Sequence, residues 1–242
     1  MRLKKNNYCI IYPTLIICCK IFDLGELCDL ENQQCITLAM QKAYPVIVAG
    51  NADLGFEPSD TLKKDEIVAY LPTLNYTLSD LTMQGYSNCM VREARFRIAE
   101  SAWHIFLDCP LLEVNMNYKL DGYIASERLL GEGKSKIIFK SYEISVNGGL
   151  EKEIRDDKIY IQLNHYAVTR LEVTDNINFS FDNLLYNDEE KTKKMNKFIN
   201  DHWQELNSLA QQPAMQAIIG VMIDRFNQYF KRVPIDEIFI KM

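Results

Sequence analysis

MNKFINDHWQELNSLAQQPAMQAIIGVMIDRFNQYF, residues 195–230, decides how the rest of the chain is read. Phe198, Ile199, Trp203, Leu206, Leu209 and Ala210 recur at steps of three and four, the spacing of one helix face, while Lys197, Gln204 and Glu205 fill much of the opposite side. The pattern resumes after Pro213 through Ile218, Ile219, Met222, Ile223, Phe226, Tyr229 and Phe230. The tract from Asn187 to Phe239 therefore reads as one long amphipathic helix with a bend. Proline lacks an amide hydrogen and crowds the preceding turn, so Pro213 is expected to open a fresh helix or to kink a continuous one. A helix this long needs something to wrap its apolar side.

Upstream the period changes to two. Leu74, Tyr76 and Leu78 alternate with Asn75, Thr77 and Ser79, and Leu112, Val114, Met116, Tyr118 and Leu120 alternate with Glu113, Asn115, Asn117, Lys119 and Asp121. One face is apolar and the other wet, as in an antiparallel sheet that covers a core on one side. Trp103, Ile105, Leu107 and Cys109 continue the pattern, and a turn near residues 99–101 would set Cys89 opposite Cys109 on paired strands. Further strands are expected over 136–146, 158–173 and 176–181, joined in a meander by short connections at Asn147-Gly148-Gly149 and Arg155-Asp156-Asp157. A shorter helix runs from Ile36 to Tyr44, toward Pro45. No repeat or linker divides the chain, so the expected fold is a single α+β domain.

Residues 1–22 stand apart. Arg2, Lys4 and Lys5 precede an apolar run from Tyr8 to Cys19, the layout of a secretory signal peptide, leaving 23–242 as the mature domain. Of the seven cysteines, four remain after removal of that segment: Cys28, Cys35, Cys89 and Cys109. Four cysteines allow three pairings; the short Cys28 to Cys35 loop is the natural first bridge, with Cys89 and Cys109 left over. The triplets at Asn75 and Asn178 are glycosylation sequons, in keeping with export. The formal net charge is −6, and loss of the four basic residues among the first 22 leaves about −10, which repels nucleic acid and anionic membrane.

The sequence holds no strong catalytic signature. Gly131-Glu132-Gly133-Lys134-Ser135 looks like the end of a phosphate-binding loop, but Arg128 occupies the position of its first glycine and a strand follows, so a glycine-rich turn is expected. The three histidines, His104, His165 and His202, are scattered and the cysteines lack close metal-ligand spacing, so no metal, cofactor or enzyme activity is expected. What remains is apolar surplus. If a curved sheet around one helix is not filled by side chains, it encloses a tunnel, and Met116, Tyr118, Phe198, Trp203, Met222 and Phe226 are candidate lining.

Several short motifs in fixed order sharpen this. They run from the two cysteines separated by six residues, through Pro45, Gly50-Asn51-Ala52-Asp53-Leu54-Gly55, Asp60-Thr61-Leu62 and Gly85-Tyr86-Ser87-Asn88, to Pro110 and the Gly131-Glu132-Gly133-Lys134 segment. They close with Phe181-Asp182-Asn183-Leu184-Leu185, Phe198-Ile199-Asn200-Asp201-His202-Trp203 and Val233-Pro234-Ile235-Asp236-Glu237-Ile238-Phe239. In this order the chain resembles the insect juvenile-hormone-binding and takeout-like secreted proteins of the tubular lipid-binding superfamily. The resemblance implies a strongly curved antiparallel sheet wrapped round a long C-terminal helix, an internal hydrophobic tunnel, and a monomeric carrier of a small apolar ligand in haemolymph or chemosensory fluid. The ligand would be a juvenile hormone, another terpenoid or a fatty-acyl lipid, with no stable membrane insertion and with a receptor as a further candidate partner. It also implies a Cys28 to Cys35 bridge near one mouth of the cavity, with the N-terminal helix as a gate. Hormone binders in this family direct a tyrosine hydroxyl at the ligand's epoxide, and Tyr142 is the nearest candidate. Cys89 and Cys109 replace the second disulfide arrangement of the hormone binders, which favours the takeout-like side. The competing expectation is a secreted interaction protein with a filled core and no small-molecule ligand.

Overall fold

Two long antiparallel strands carry the fold, and the unbroken alternation of apolar and polar residues accounts for their length. The computed structural model describes residues 8–12, 15–19, 28–29, 31–50, 58–124, 126–185, 188–235 and 240–241. In chain order its elements are β1 (Tyr8–Tyr12), β2 (Leu15–Cys19), β3 (Cys28–Asp29), α1 (Gln33–Ala49), β4 (Thr61–Tyr70), β5 (Leu74–Gln84), β6 (Met90–Arg97) and β7 (Ala102–Ile124). They continue with β8 (Glu127–Arg155), β9 (Lys158–Val173), β10 (Ile177–Phe181), α2 (Glu189–Asp201), α3 (Trp203–Phe230) and β11 (Ile240–Lys241). The backbones of β1 and β2 pair antiparallel; the rest of the expected signal segment lies outside the described residues.

β7 and β8 pair from Ala102 opposite Gly149 to Ile124 opposite Glu127. The outer edge of β7 is divided: β6 pairs with residues 102–108 and β5 with residues 113–122. Pro110, which has no amide hydrogen to give, falls in the gap between them, where a strand tolerates it. β8 is divided in the same way between β10 and β9, and β4 extends the sheet beyond β5. α3 packs against both β9 at one edge and β4 at the other, so the sheet curls round the helix. The apolar residues of the alternating strands, among them Leu112, Val114, Met116, Ile144 and Val146, face that helix and are buried.

Both free edges of the β8 side are closed by amide side chains from the helices. On α2, Asn200 accepts from the amide of Phe179 and donates to its carbonyl, each at 2.8 Å, and Asn196 does the same for Phe181 at 2.9 and 2.8 Å. Four residues of helix rise about 6 Å and two residues of strand about 6.7 Å, so an i,i+4 asparagine pair matches alternate residues of an edge strand. On α3, Asn227 grips the backbone of Leu163 in the same two-sided manner, and Gln216 binds Val168 and Tyr166 of β9. The edge strands thus present side-chain-satisfied backbone instead of a template for another chain.

Three expectations need correction. The helical tract does not bend into separate pieces at Pro213: it breaks at His202, between α2 and α3, and α3 runs through Pro213. Next to the carbonyl that Pro213 deprives of its donor, the carbonyl of Ala210 accepts the Tyr76 hydroxyl at 2.9 Å, one of the contacts that hold the sheet on this turn. The Asn147-Gly148-Gly149 segment is not a connection but lies within β8. A Cβ on Gly148 would come within 2.6 Å of the Trp103 ring, so the glycine makes room for the buried indole, whose Nε1 donates to the Gly149 carbonyl at 2.8 Å. The Gly131 to Lys134 segment is likewise strand, not turn. The chain at 182–184 crosses it so closely that a Cβ on Gly131 would meet the Asn183 carbonyl at 2.7 Å and one on Gly133 the Asp182 carbonyl at 2.8 Å. Gly131→Ala is therefore expected to lower stability by about 1–3 kcal/mol, read as a reduced midpoint in urea with an unchanged slope; an unaltered midpoint would show that the crossing segment yields freely.

The turns at Arg155-Asp156-Asp157 and near 98–101 are present. Asp156 and Asp157 adopt positive φ of 51° and 57°, as a tight hairpin requires. Cys89 is bonded to Cys109 and Cys28 to Cys35. α1 continues past Pro45 to Ala49 and packs on β6, with Gln41 donating to the Val91 carbonyl. β3 and β11 pair parallel, tying the segment that bears Cys28 to the chain after α3.

Candidate functional site

An apolar cavity lies between the middle of α3 and the concave face of the sheet. Helix residues Leu206, Asn207, Ala210, Gln211, Ala214, Met215 and Ile218 form its floor, a single stripe at helical spacing. Alternate strand residues roof it: Leu74, Tyr76 and Leu78 from β5, Val114, Met116 and Leu120 from β7, Ile137 and Phe139 from β8, Phe179 and Phe181 from β10. The space open to the centre of a water molecule is about 90 Å³, room for roughly six to nine waters. Ala210 and Ala214 are the smallest residues of its floor.

The lining contains no charged residue, and its polar side chains cluster on one turn of α3. Tyr142 donates its hydroxyl to Gln211 Oε1 at 2.8 Å, Asn207 Nδ2 donates to the same oxygen at 3.0 Å, and Gln211 Nε2 donates to the Leu171 carbonyl at 3.4 Å. Burial raises the Tyr142 hydroxyl far above its usual pKa and the Tyr76 hydroxyl to about 12, so both are neutral donors at physiological pH.

Of the residues singled out from sequence, the structure brings Met116 to the cavity wall and Tyr142 to its polar turn. Tyr118 lies beside the wall, packed edge-on against Phe181 and bonded to the Asp182 carbonyl. Phe198, on the far side of the helix break, is half-buried and stacks on His202, and Trp203 is half-buried at the start of α3, outside the cavity lining. Met222 and Phe226 are buried further along α3, where Phe226 meets Tyr44 of α1 edge-on. The helix residues of the lining that periodicity did not single out include the small Ala214 and the polar Asn207 and Gln211. Their signal was polar amides recurring on a face otherwise apolar.

A second arrangement was not foreseen. Ser145 Oγ lies 2.8 Å from His104 Nε2, and His104 Nδ1 lies 3.1 Å from Glu93 Oε1, the order of nucleophile, base and orienter. These side chains stand on the outer face of the sheet, on strands β6, β7 and β8 whose backbones are committed to their ladders. Glu93 is shared with Arg95 at 2.6 Å. A surface hollow bordered by Glu93, Arg95, Trp103 and His104 adjoins them, but with the strand amides committed to their ladders no convergent N–H donors face it to hold an oxyanion, and the chain of bonds serves to link three strands. Among the described residues no group of His, Cys, Asp and Glu could hold a metal ion, and no helix is long and apolar enough to cross a membrane.

A model of the family described as haemolymph juvenile hormone binding protein (JHBP) matches residues 14–240. The crystal structure of Takeout 1 from Epiphyas postvittana is similar with a TM-score of 0.81 at 26 % identity, over 89 % of this chain and 99 % of that one. No curated protein sequence matches the chain.

Proposed function

Because the chain belongs to the haemolymph juvenile hormone binding protein family, as the match over nearly its whole length shows, we propose that it is a secreted carrier that sequesters a small apolar molecule in the cavity under α3. The observation that carries this reading is the lining itself: an interior space walled by apolar side chains, without a charge, with polar groups confined to one turn. Each methylene taken from water contributes about 0.8 kcal/mol, so a chain of eight to ten carbons supplies roughly 6–8 kcal/mol before association costs, which places its binding at or weaker than the micromolar level. A longer terpenoid or fatty-acyl chain requires the floor and roof to part.

Export is supported by the two disulfides and by the exposed position of Asn75 and Asn178, the two sequon asparagines. Met116, with Leu120, Phe139 and Phe181, forms the apolar contact surface in this reading, while Phe198, Trp203, Met222 and Phe226 support the helix on either side. The bridge between Cys28 and Cys35 fastens α1 at its start, and the gate role of α1 is part of the same proposal.

The test is to express the protein in insect cells, extract it with organic solvent and identify bound lipid by mass spectrometry, alongside titration with the fluorescent probe N-phenyl-1-naphthylamine. A co-purified lipid or saturable probe binding is expected. Neither being found would overturn the carrier reading in favour of a filled-core protein that acts through its surface. Ala214→Phe places a ring in a space of about 90 Å³, and loss of room for several methylenes is expected to weaken probe binding about tenfold or more. Unchanged affinity in a folded variant would put the ligand elsewhere.

A further inference from the structure

Asn207 is a buried amide in the wall of an apolar cavity, only 8 % exposed, and its hydrogen bonds can be oriented from one immovable group. The Leu171 backbone carbonyl can only accept, so the Gln211 atom facing it is Nε2. That turns Gln211 Oε1 toward Tyr142 and Asn207, where it accepts from both. The Asn207 atom facing Gln211 must then be Nδ2, which leaves Asn207 Oδ1 on the other side of the amide. No described residue donates to Asn207 Oδ1. The Tyr142 hydroxyl is spent on Gln211 and the Tyr76 hydroxyl on the Ala210 carbonyl, so neither tyrosine has its proton to offer an incoming ligand.

We infer that Asn207 is the specificity-determining residue of the cavity and that the ligand is an apolar chain ending in a neutral hydroxyl group. The inference rests on the carrier reading. A hydroxyl donates to Asn207 Oδ1 and can accept one of the remaining amide hydrogens of Asn207 or Gln211. An ether, epoxide or ester only accepts, and seating it would leave Asn207 Oδ1 dry and unpaired. A carboxylate also only accepts and brings a charge into a lining that contains no cation. Tyr142 acts as a positioning residue: by holding Gln211 Oε1 it fixes which atom of Asn207 meets the ligand.

The experiment displaces N-phenyl-1-naphthylamine from the full mature chain with 1-decanol, its methyl ether and decanoate at pH 7. The alcohol is expected to bind about tenfold to a hundredfold more tightly than the ether and the acid, the cost of one unpaired buried acceptor. In Asn207→Leu the advantage of the alcohol should fall to about twofold or less, because the ether no longer strands an acceptor and the alcohol no longer finds one. Equal binding of alcohol and ether by the parent protein overturns the inference without any variant, and so does an alcohol preference that survives in Asn207→Leu. Preferred binding of the ether or the acid overturns it and leaves the carrier reading standing. Failure of the parent to bind probe or any of the three overturns both.

Discussion

Asn227→Leu is expected to lower the free energy of unfolding by about 2–6 kcal/mol, because it strips hydrogen-bond partners from two buried backbone groups at once, each worth about 1–3 kcal/mol when left unpaired. Asn227 accepts from the Leu163 amide at 2.7 Å and donates to the Leu163 carbonyl at 2.8 Å. Leu163 lies on β9, which pairs with β8 on one side alone, and its neighbourhood is covered by α3. Water cannot replace the lost partner while α3 stays in place. Leucine keeps the branched heavy-atom skeleton of asparagine, so no cavity opens at the site and the lost hydrogen bonds dominate the effect. Chemical denaturation monitored by circular dichroism checks it. A loss under about 1 kcal/mol would mean that α3 shifts and lets solvent reach β9. The outward-facing Asn178→Ala, exposed on β10, supplies the control and should change stability by no more than about 0.5 kcal/mol.

Alkaline unfolding between about pH 10 and pH 12 is the second large expectation. Tyr44, Tyr76, Tyr86, Tyr142 and Tyr229 are buried in the core. Burial raises the pKa of each, that of Tyr76 to about 12 and those of Tyr86, Tyr142 and Tyr229 further; Tyr44 is also raised well above its usual value, with the neighbouring Tyr86 and Asp60 adding to the effect of burial. In the unfolded chain these hydroxyls ionise near pH 10, whereas the folded state keeps their protons. Their contribution is therefore complete below pH 10 and is lost as pH rises toward the folded values, at about 1.4 kcal/mol per tyrosine per pH unit. Five such groups together cost about 7 kcal/mol per unit, comparable with the whole stability of an ordinary domain. The part of the tyrosinate absorbance near 295 nm that comes from these buried tyrosines should rise in one cooperative step that coincides with loss of near-ultraviolet dichroism. A gradual rise with native dichroism retained to pH 12 would refute the linkage.

The parts of this fold legible in the sequence are those whose cause is local. Alternation at Leu112 to Asp121 marks a strand with one wet face, and the three-and-four spacing after Met195 marks a helix, because each pattern follows from the geometry of its own element. The pairing of Cys89 with Cys109 was also within reach, since a single hairpin turn sets their register. The family followed from short motifs in fixed order, and the match over residues 14–240 bears that out.

The glycines and amides show where local reasoning stops. Gly131, Gly133, Gly148 and Gly149 read as turns, since glycine is common in turns, yet each lies in β8 where a distant segment or ring comes too close for a side chain. Nothing in the sequence sets Asn196, Asn200, Gln216 and Asn227 apart from other polar helix residues, yet each replaces the missing neighbour of an edge strand. Pro213 read as the natural place for the break, and the structure puts it at His202 while the helix runs through the proline.

The sequence by itself determined most of the elements and their apolar faces, because burial of a periodic apolar stripe is a property of consecutive residues, and its motifs, through the family they resemble, implied the wrapping of a helix by an antiparallel sheet. Only the tertiary structure decided where the interior stays open and which polar atom faces it. The void lies between helix residues that include Ala210 and Ala214 and side chains from four strands, and the orientation of Asn207 descends from the Leu171 carbonyl through Gln211. Both depend on how far apart and at what rotation remote segments come to rest, which no periodicity within one segment encodes.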